Sequence, residues 1–273
     1  MGAVMRIGIG LVCVGGLAVA ACGSSGGSNG GAGAGQGTGA GAGSGTGAGP
    51  ATGGFGGGDL YGDLHAGDYH LGPVDFAETV WTNSCGPYAP EIQALEGVYL
   101  AGVDLAWNGD GSLCDACALV TTRLGRTAVV RIVTTGVSNA EGDMDVSPET
   151  YDGIYELDPL GTPEHPRPMT WQLARCPDTG TLRYQWQTGA NEWWTSFWLR
   201  NARVPLASVE VRSANHADWF ALRREVDGTL NDDGGFGAGS FELRITGLDG
   251  QQLVDSFPGF TPGSVVASTQ QFQ

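Results

Sequence analysis

The chain contains no lysine, and all 13 of its basic residues are arginines. That absence removes two chemistries at once, the phosphate-loop lysine and Schiff-base catalysis. Positive charge is also scarce: 29 acidic residues leave a formal net charge of −16. Proteins that bind nucleic acid present clustered positive charge, so nucleic acid is excluded as a partner. The same balance disfavours tight binding to an acidic polysaccharide and fits a neutral one. Long apolar runs are missing too. The longest, within residues 1–22, is too short and too rich in Gly to make a comfortable membrane span.

That first stretch instead has the pattern of a secretory signal, with Arg6 ahead of a short apolar run that ends in small residues. Its last four residues, Val19-Ala20-Ala21-Cys22, resemble a bacterial lipoprotein box, which implies lipidation of Cys22. Ordinary cleavage with Cys22 as a bystander is the alternative, and the Gly/Ser tether that starts right after Cys22 favours the lipoprotein. Residues 23–58 are mostly Gly with Ala, Ser and Thr, and such a segment buries no apolar surface and acts as a flexible tether. The expectation is therefore an exported, surface-tethered monomer that meets a membrane only through its N-terminal lipid.

The folded part, residues 59–273, holds Cys85, Cys114, Cys117 and Cys176. An even number of cysteines in an exported chain favours disulfides. Zinc would need about four Cys or His ligands, commonly as two close pairs. Only Cys114 and Cys117 are close, and no His pair lies at ligand spacing, so no metal and no cofactor are expected.

Most of the folded part reads as short strands separated by turns. Val98–Leu105 and Ala118–Leu124 are β-rich, and Thr127–Thr134 carries β-branched residues on both faces, as a buried strand does. Ser147 as N-cap with Pro148 at the first helical position predicts a helix start, with Tyr151, Ile154 and Tyr155 on one face. A second short helix is predicted over Pro90–Leu95, and Trp171–Cys176 reads as a closing strand. Beyond Pro177 the character changes. Leu182, Tyr184 and Trp186 alternate with polar residues, as do Phe241, Leu243 and Ile245. Further strands are predicted at Ser196–Arg200, Ala207–Arg212, Trp219–Arg224 and Leu253–Ser256, which together suggest a β-sandwich. The expected organisation is a first β-rich domain over residues 59–176 and a second over residues 177–273.

Aromatic density peaks in Asn191–Asn201, which holds Trp193, Trp194, Phe197 and Trp198. Exposed rings stack on the flat C–H faces of sugars. Aromatics in strands more often serve a core. Adjacent residues of a regular strand point to opposite faces, however, so Trp193 and Trp194 cannot both be core there. At a strand start or a bulge both reach the surface. Of Phe197 and Trp198, one is left for the core.

Four segments, in order, resemble bacterial expansins: Asp59-Leu-Tyr-Gly-Asp-Leu-His65, Asp143-Met-Asp-Val-Ser-Pro148, Trp171-Gln-Leu-Ala-Arg-Cys-Pro177 and Glu192-Trp-Trp-Thr-Ser-Phe-Trp-Leu-Arg-Asn201. The resemblance implies a mainly β chain, with a double-psi β-barrel followed by an immunoglobulin-like β-sandwich that binds carbohydrate. It implies the disulfides Cys85–Cys114 and Cys117–Cys176. A third pair common in relatives is absent, because Gly136 and Asn139 stand in its place. Asp145 matches the groove acid of the family. The threonine and second aspartate that accompany it there correspond to His70 and Thr134 here, and His70 is placed to hydrogen-bond Asp145. The third ring of the family's platform corresponds to Asp227, and a basic residue six positions before the first tryptophan is Gln187.

Inverting glycoside hydrolysis needs an acid and a second carboxylate about 6.5–9.5 Å away across the sugar. Asp145 lacks a matching base, since Glu141 and Asp143 stand beside it rather than opposite. A structural role for Asp145, organising the turn before the helix, has equal weight. The expected function is thus non-hydrolytic binding of cellulose or a related β-glucan through Trp193 and Trp194, with plant-type wall loosening implied by the resemblance alone. Two alternatives stand beside it. One is a lytic polysaccharidase acting on glucan or peptidoglycan through the same groove, and the other is a plain carbohydrate-binding adhesin.

Overall fold

A computed structural model describes residues 59–72, 74, 76, 85–96, 99–104, 106–135, 141–150 and 167–273. The expected signal, Cys22 and the tether lie outside the described residues, as do Gly136, Asn139, Tyr151, Ile154 and Tyr155. Every described residue falls within one compact unit, Gly49–Gln273.

The first half comprises β1 (Leu60–Leu71), α1 (Pro90–Glu96), β2 (Leu100–Val103), β3 (Cys117–Thr122), β4 (Thr127–Thr135), β5 (Met144–Val146) and β6 (Arg167–Ala174). Its strands close into a barrel in the order β1-β5-β2-β4-β3-β6. Closure leaves no strand edge unpaired. Alternate residues such as Tyr69, Val120, Ile132, Met144 and Trp171 fill the interior. On the outer face of β4, Val133 packs with Leu100, Ile92 and Tyr88. Burial on both faces explains why β4 reads apolar throughout. Just after β5, residues 148–150 are helical, and the Ser147 hydroxyl accepts the Thr150 N–H at 3.3 Å. That is the N-cap bond the Ser-Pro pair predicts.

The second half is all strand: β7 (Arg183–Trp186), β8 (Thr195–Arg200), β9 (Leu206–Arg212), β10 (Phe220–Ala221), β11 (Arg223–Arg224), β12 (Leu230–Asp232), β13 (Phe241–Gly247), β14 (Gln252–Phe257) and β15 (Val265–Ala267). They form two sheets, ordered β10-β9-β13-β14 and β11-β12-β8-β7-β15. Leu182, Tyr184, Trp186, Phe241, Leu243 and Ile245, the residues whose alternation predicts strands, all face the shared core. There Trp186 stacks on Phe260 with centroids 4.5 Å apart. One expected strand is divided. Trp219–Arg224 splits into β10, which pairs with β9, and β11, which pairs with β12 in the other sheet. Leu222 sits buried at the switch, its N–H bonded to the Val209 carbonyl at 2.9 Å.

Barrel and sandwich are welded at Cys114-Asp115-Ala116-Cys117. The disulfides are Cys85–Cys114 and Cys117–Cys176, the pairs the resemblance implies. Between them Asp115, with φ of 64°, turns its carboxylate onto Arg200 of β8. The Arg200 guanidinium also donates to the carbonyls of Cys85 (3.0 Å) and Pro87 (3.2 Å) and lies 4.0 Å over the Tyr88 ring. Arg131 of β4 donates to the Asp115 carbonyl at 2.8 Å and pairs with Asp178 in the connection between the two halves. Beside them the Trp198 indole covers Gly86, where a Cβ would lie 2.4 Å from the ring. Gly86 also has φ of 83°, so no other residue fits there without strain. The outer face of the β8 sheet is therefore covered by the barrel at its Trp198–Arg200 end.

Candidate functional site

At its other end β8 begins with the tryptophan pair. Asn191–Trp194 form a tight turn in which the Asn191 N–H bonds the Trp194 carbonyl at 2.8 Å. The Asn191 side-chain oxygen accepts the N–H groups of both Trp193 (2.9 Å) and Trp194 (3.1 Å), so one amide oxygen sets the pose of both residues. Because Trp193 belongs to the turn and not to the strand, strand alternation does not drive it inward. Its side chain is 69% exposed, the largest exposure of any big apolar residue described. Trp194, at the strand entrance, is half-buried, and its ring lies beside Gly189.

The turn rests on the loop that follows β12. The Gly237 N–H donates to the Glu192 carbonyl at 2.9 Å, and the Phe236 N–H donates to the Thr195 hydroxyl at 3.1 Å. At Gly235, where φ is 68°, a Cβ would lie 2.2 Å from the Glu192 carbonyl oxygen. The same loop is pinned by Asp232, which bonds His216 at 2.6 Å while His216 stacks on Phe220.

Phe197 and Trp198 divide as alternation requires. Phe197 faces the sandwich core, and Trp198 faces outward beneath the barrel with its Nε1–H donating to the Asp227 carbonyl at 3.1 Å. Asp227 lies in the turn between β11 and β12. Its carboxylate accepts the Thr229 N–H at 3.0 Å and the Thr229 hydroxyl at 2.6 Å. That turn meets β8 at the Trp198 end, about 13 Å along the strand from Trp194.

The three groove residues of the barrel fall in one row. His70 of β1 pairs in register with Asp145 of β5, Asp145 with Gly102 of β2, and Gly102 with Thr134 of β4. Directly paired residues share a face of the sheet. The row thus carries an imidazole, a carboxylate, a glycine gap and a hydroxyl across four adjacent strands, from segments far apart in sequence. One expectation is corrected. The hydrogen bond that His70 makes runs to Asp143, with Nε2 3.2 Å from Oδ2, and not to Asp145. Asp143 lies two residues before Asp145 on the same side of the chain, and its other oxygen is fixed by the Asp68 N–H at 2.7 Å. The imidazole reaches that anchored oxygen instead of its lateral neighbour. His65, on the same strand, packs between Trp107 (4.2 Å) and Trp171 (4.3 Å).

Sequence alone gave no reason to join Asn191, Gly235 or His216 to the tryptophan pair. The one available signal was the Asn-x-Trp-Trp spacing, since Asn commonly bonds the backbone two residues on. Among the described residues no group of His, Cys, Asp and Glu is arranged to hold a metal ion.

No protein-family model matches the chain. Among curated proteins it is similar to two from Dictyostelium discoideum. It is 23% identical to expansin-like protein 6 over 59% of this chain and 56% of that one, and 20% identical to expansin-like protein 1 over 70% and 65%. The chain thus spans less than two thirds of either relative. Among solved structures it is similar to the apo expansin of Clavibacter michiganensis, with a TM-score of 0.63, 18% identity, and coverage of 77% of this chain and 98% of that one. A mutant of that expansin in complex with cellohexaose matches with the same values. In both fold and sequence the chain is expansin-like.

Proposed function

We propose that this chain binds cellulose or a related neutral β-glucan on Trp193 and Trp194 and does not cut it. The observation that carries the reading is the 69% exposure of Trp193, whose backbone N–H is held by Asn191 Oδ1 at 2.9 Å, beside that of Trp194 at 3.1 Å. An exposed indole offers a large stacking face with only two side-chain torsions to order when it meets a sugar. The complex of the Clavibacter expansin with cellohexaose gives a fold relative that takes a β-glucan. Against cleavage stands the composition of the groove row, where Asp145 faces a glycine and then Thr134. The nearby Asp143 is committed to His70 and to the Asp68 N–H. Loosening of polymer contacts without bond cleavage is the action that the likeness to expansins suggests for such a binder, and a tethered surface location suits it.

A pull-down on insoluble cellulose, chitin and peptidoglycan tests the reading. Wild type is expected to be retained on cellulose, and the Trp193→Ala/Trp194→Ala variant to be lost from it by about tenfold or more in affinity. Equal retention of both proteins overturns the platform.

A further inference from the structure

The tryptophan pair stands at one end of the outer face of the β8 sheet and the barrel covers the other end. Between them lies a polar row that nothing above has used. Alternation along β8 puts Trp194, Ser196 and Trp198 on that outer face, because Phe197 faces the core. The register then carries the Ser196 level sideways. Asn231 of β12 pairs with Ser196, and Arg223 of β11 pairs with Asn231. On the other side the Gln187 N–H bonds the Ser196 carbonyl at 3.0 Å. Gln187, Ser196, Asn231 and Arg223 therefore run across the sheet about 7 Å from Trp194 and about 7 Å from Trp198.

The row is pre-organised. Ser196 is fully buried and its hydroxyl bonds the Asn231 carbonyl oxygen, which fixes the amide plane. One Asn231 amide hydrogen points at Glu225 Oε1 (3.3 Å), and the same oxygen takes Arg223 Nε–H at 2.6 Å. Arg223 also pairs with Asp233 at 3.2 Å. Three things remain open toward solvent. The Gln187 amide and the second Glu225 oxygen have no hydrogen-bond partner among the described residues, and the Arg223 side chain is 61% exposed. Held carboxylate, amide and guanidinium groups are the partners that sugar hydroxyls take, and fixing them in advance removes the ordering cost of binding.

We propose that Gln187, Asn231, Glu225 and Arg223 form a hydroxyl-reading subsite for the glucan strand as it leaves the tryptophans toward the barrel. The proposal rests on the preceding reading of Trp193 and Trp194 as the stacking platform. Stacking alone tolerates any flat sugar face, whereas a row of directed polar groups rejects a ligand whose hydroxyls are capped, because its own groups are then left unpaired. Arg223 of β11 gives the row a positive charge, which Gln187, the residue after β7, does not carry.

Titration of the full chain with cello-oligosaccharides of increasing length tests this directly. Wild type is expected to gain affinity from the disaccharide to cellohexaose, and to bind cellulose more tightly than methyl-capped cellulose. In the Gln187→Ala/Arg223→Ala/Glu225→Ala variant, whose changes are on partly exposed side chains, cellohexaose binding should fall about tenfold, the loss of one charge-assisted bond. Disaccharide binding, which needs the tryptophans alone, should stay within twofold, and the preference over the methyl-capped polymer should vanish. If the variant keeps both the length gain and that preference while Trp193→Ala/Trp194→Ala loses binding, the subsite is wrong and the platform stands. If wild type binds neither cellohexaose nor cellulose, both readings fall.

Discussion

Removing the Arg200 guanidinium should cost more than any other single polar change in the molecule. Arg200 is fully buried, and contacts of its guanidinium cross from the sandwich to the barrel, to the Asp115 carboxylate, the Cys85 and Pro87 carbonyls and the Tyr88 ring. In Arg200→Met the hydrocarbon packing is largely kept, but Asp115 is left as a carboxylate with only 8% of its surface exposed. Breaking a buried pair from one side costs about 3–5 kcal/mol. At about 2–4 °C per kcal/mol for a chain of this size, the melting temperature should drop by roughly 6–20 °C. The matched variant Arg200→Met/Asp115→Asn removes both charges, and asparagine, like aspartate, tolerates the left-handed backbone at φ of 64°. The double variant leaves no unpaired charge and should recover most of the loss, so the coupling energy in a double-mutant cycle should be at least as large as the stability recovered, about 2 kcal/mol or more. Urea unfolding followed by tryptophan fluorescence gives all four stabilities. An Arg200→Met variant within 1 kcal/mol of wild type, a threshold set by ordinary surface changes of about 0.5 kcal/mol, would refute the reasoning. So would a double variant as unstable as the sum of the singles.

The other expectations concern separate parts of the molecule. Tyr184→Phe removes the 2.6 Å bond to Asp255, leaving that carboxylate with Gln270 at 3.0 Å, and should cost about 1–3 kcal/mol in urea unfolding. Burial, with Asp255 beside it, holds the Tyr184 phenol well above its ordinary value. Its contribution is then full below about pH 10 and is lost as pH rises through the folded value, so the Phe variant should lack that alkaline loss. Gly235→Ala forces a Cβ against the Glu192 carbonyl and should destabilise by about 1–3 kcal/mol. Its turn would shift, and weaker retention on cellulose with altered tryptophan fluorescence reports that. Asp145→Asn should change neither cellulose retention nor the release of reducing ends, which stays at background in both proteins; sugar release by wild type that the variant abolishes would instead make this a lytic enzyme.

How much of this was legible depends on what each segment had to encode. The core strands were readable because apolar alternation is a local signal, as at Leu182, Tyr184 and Trp186. β1 was not. Its twelve residues include Gly62, Gly67, two histidines and two aspartates, a composition with low strand propensity. It is a strand because β5 and β6 flank it, and pairing of that kind is set by tertiary context. The division of Trp219–Arg224 was hidden for the same reason, since alternation shows which residues face inward but not which sheet they join. At the site, residue types pointed to Trp193 and Trp194, whereas Asn191, Gly235 and the Gln187–Arg223 row act through register across strands. Register is written in pairs of distant segments, and His70 choosing Asp143 over its lateral neighbour is the same lesson at one hydrogen bond.

The lysine-free composition acquires a physical meaning at the weld between barrel and sandwich. Arg131 and Arg200 are both buried beneath 3% exposure, and each bridges a carboxylate and at least one main-chain carbonyl. A guanidinium does this because five donors lie in one plane and because its flat face stacks on a ring, as Arg200 does on Tyr88. An ammonium group has neither the fork nor the face, and it loses its proton more readily when buried. Two of the chain's cations are thus buried in the joint, and Arg212 and Arg244 lie over Trp219 on the far sheet while paired with Glu242 and Glu210. Arg223, 61% exposed, is the cation beside the platform, and its partners Glu225 and Asp233 offset its charge locally. The proposed binding face therefore suits a neutral polymer recognised by shape and hydroxyl geometry more than by charge, in keeping with a chain of net charge −16.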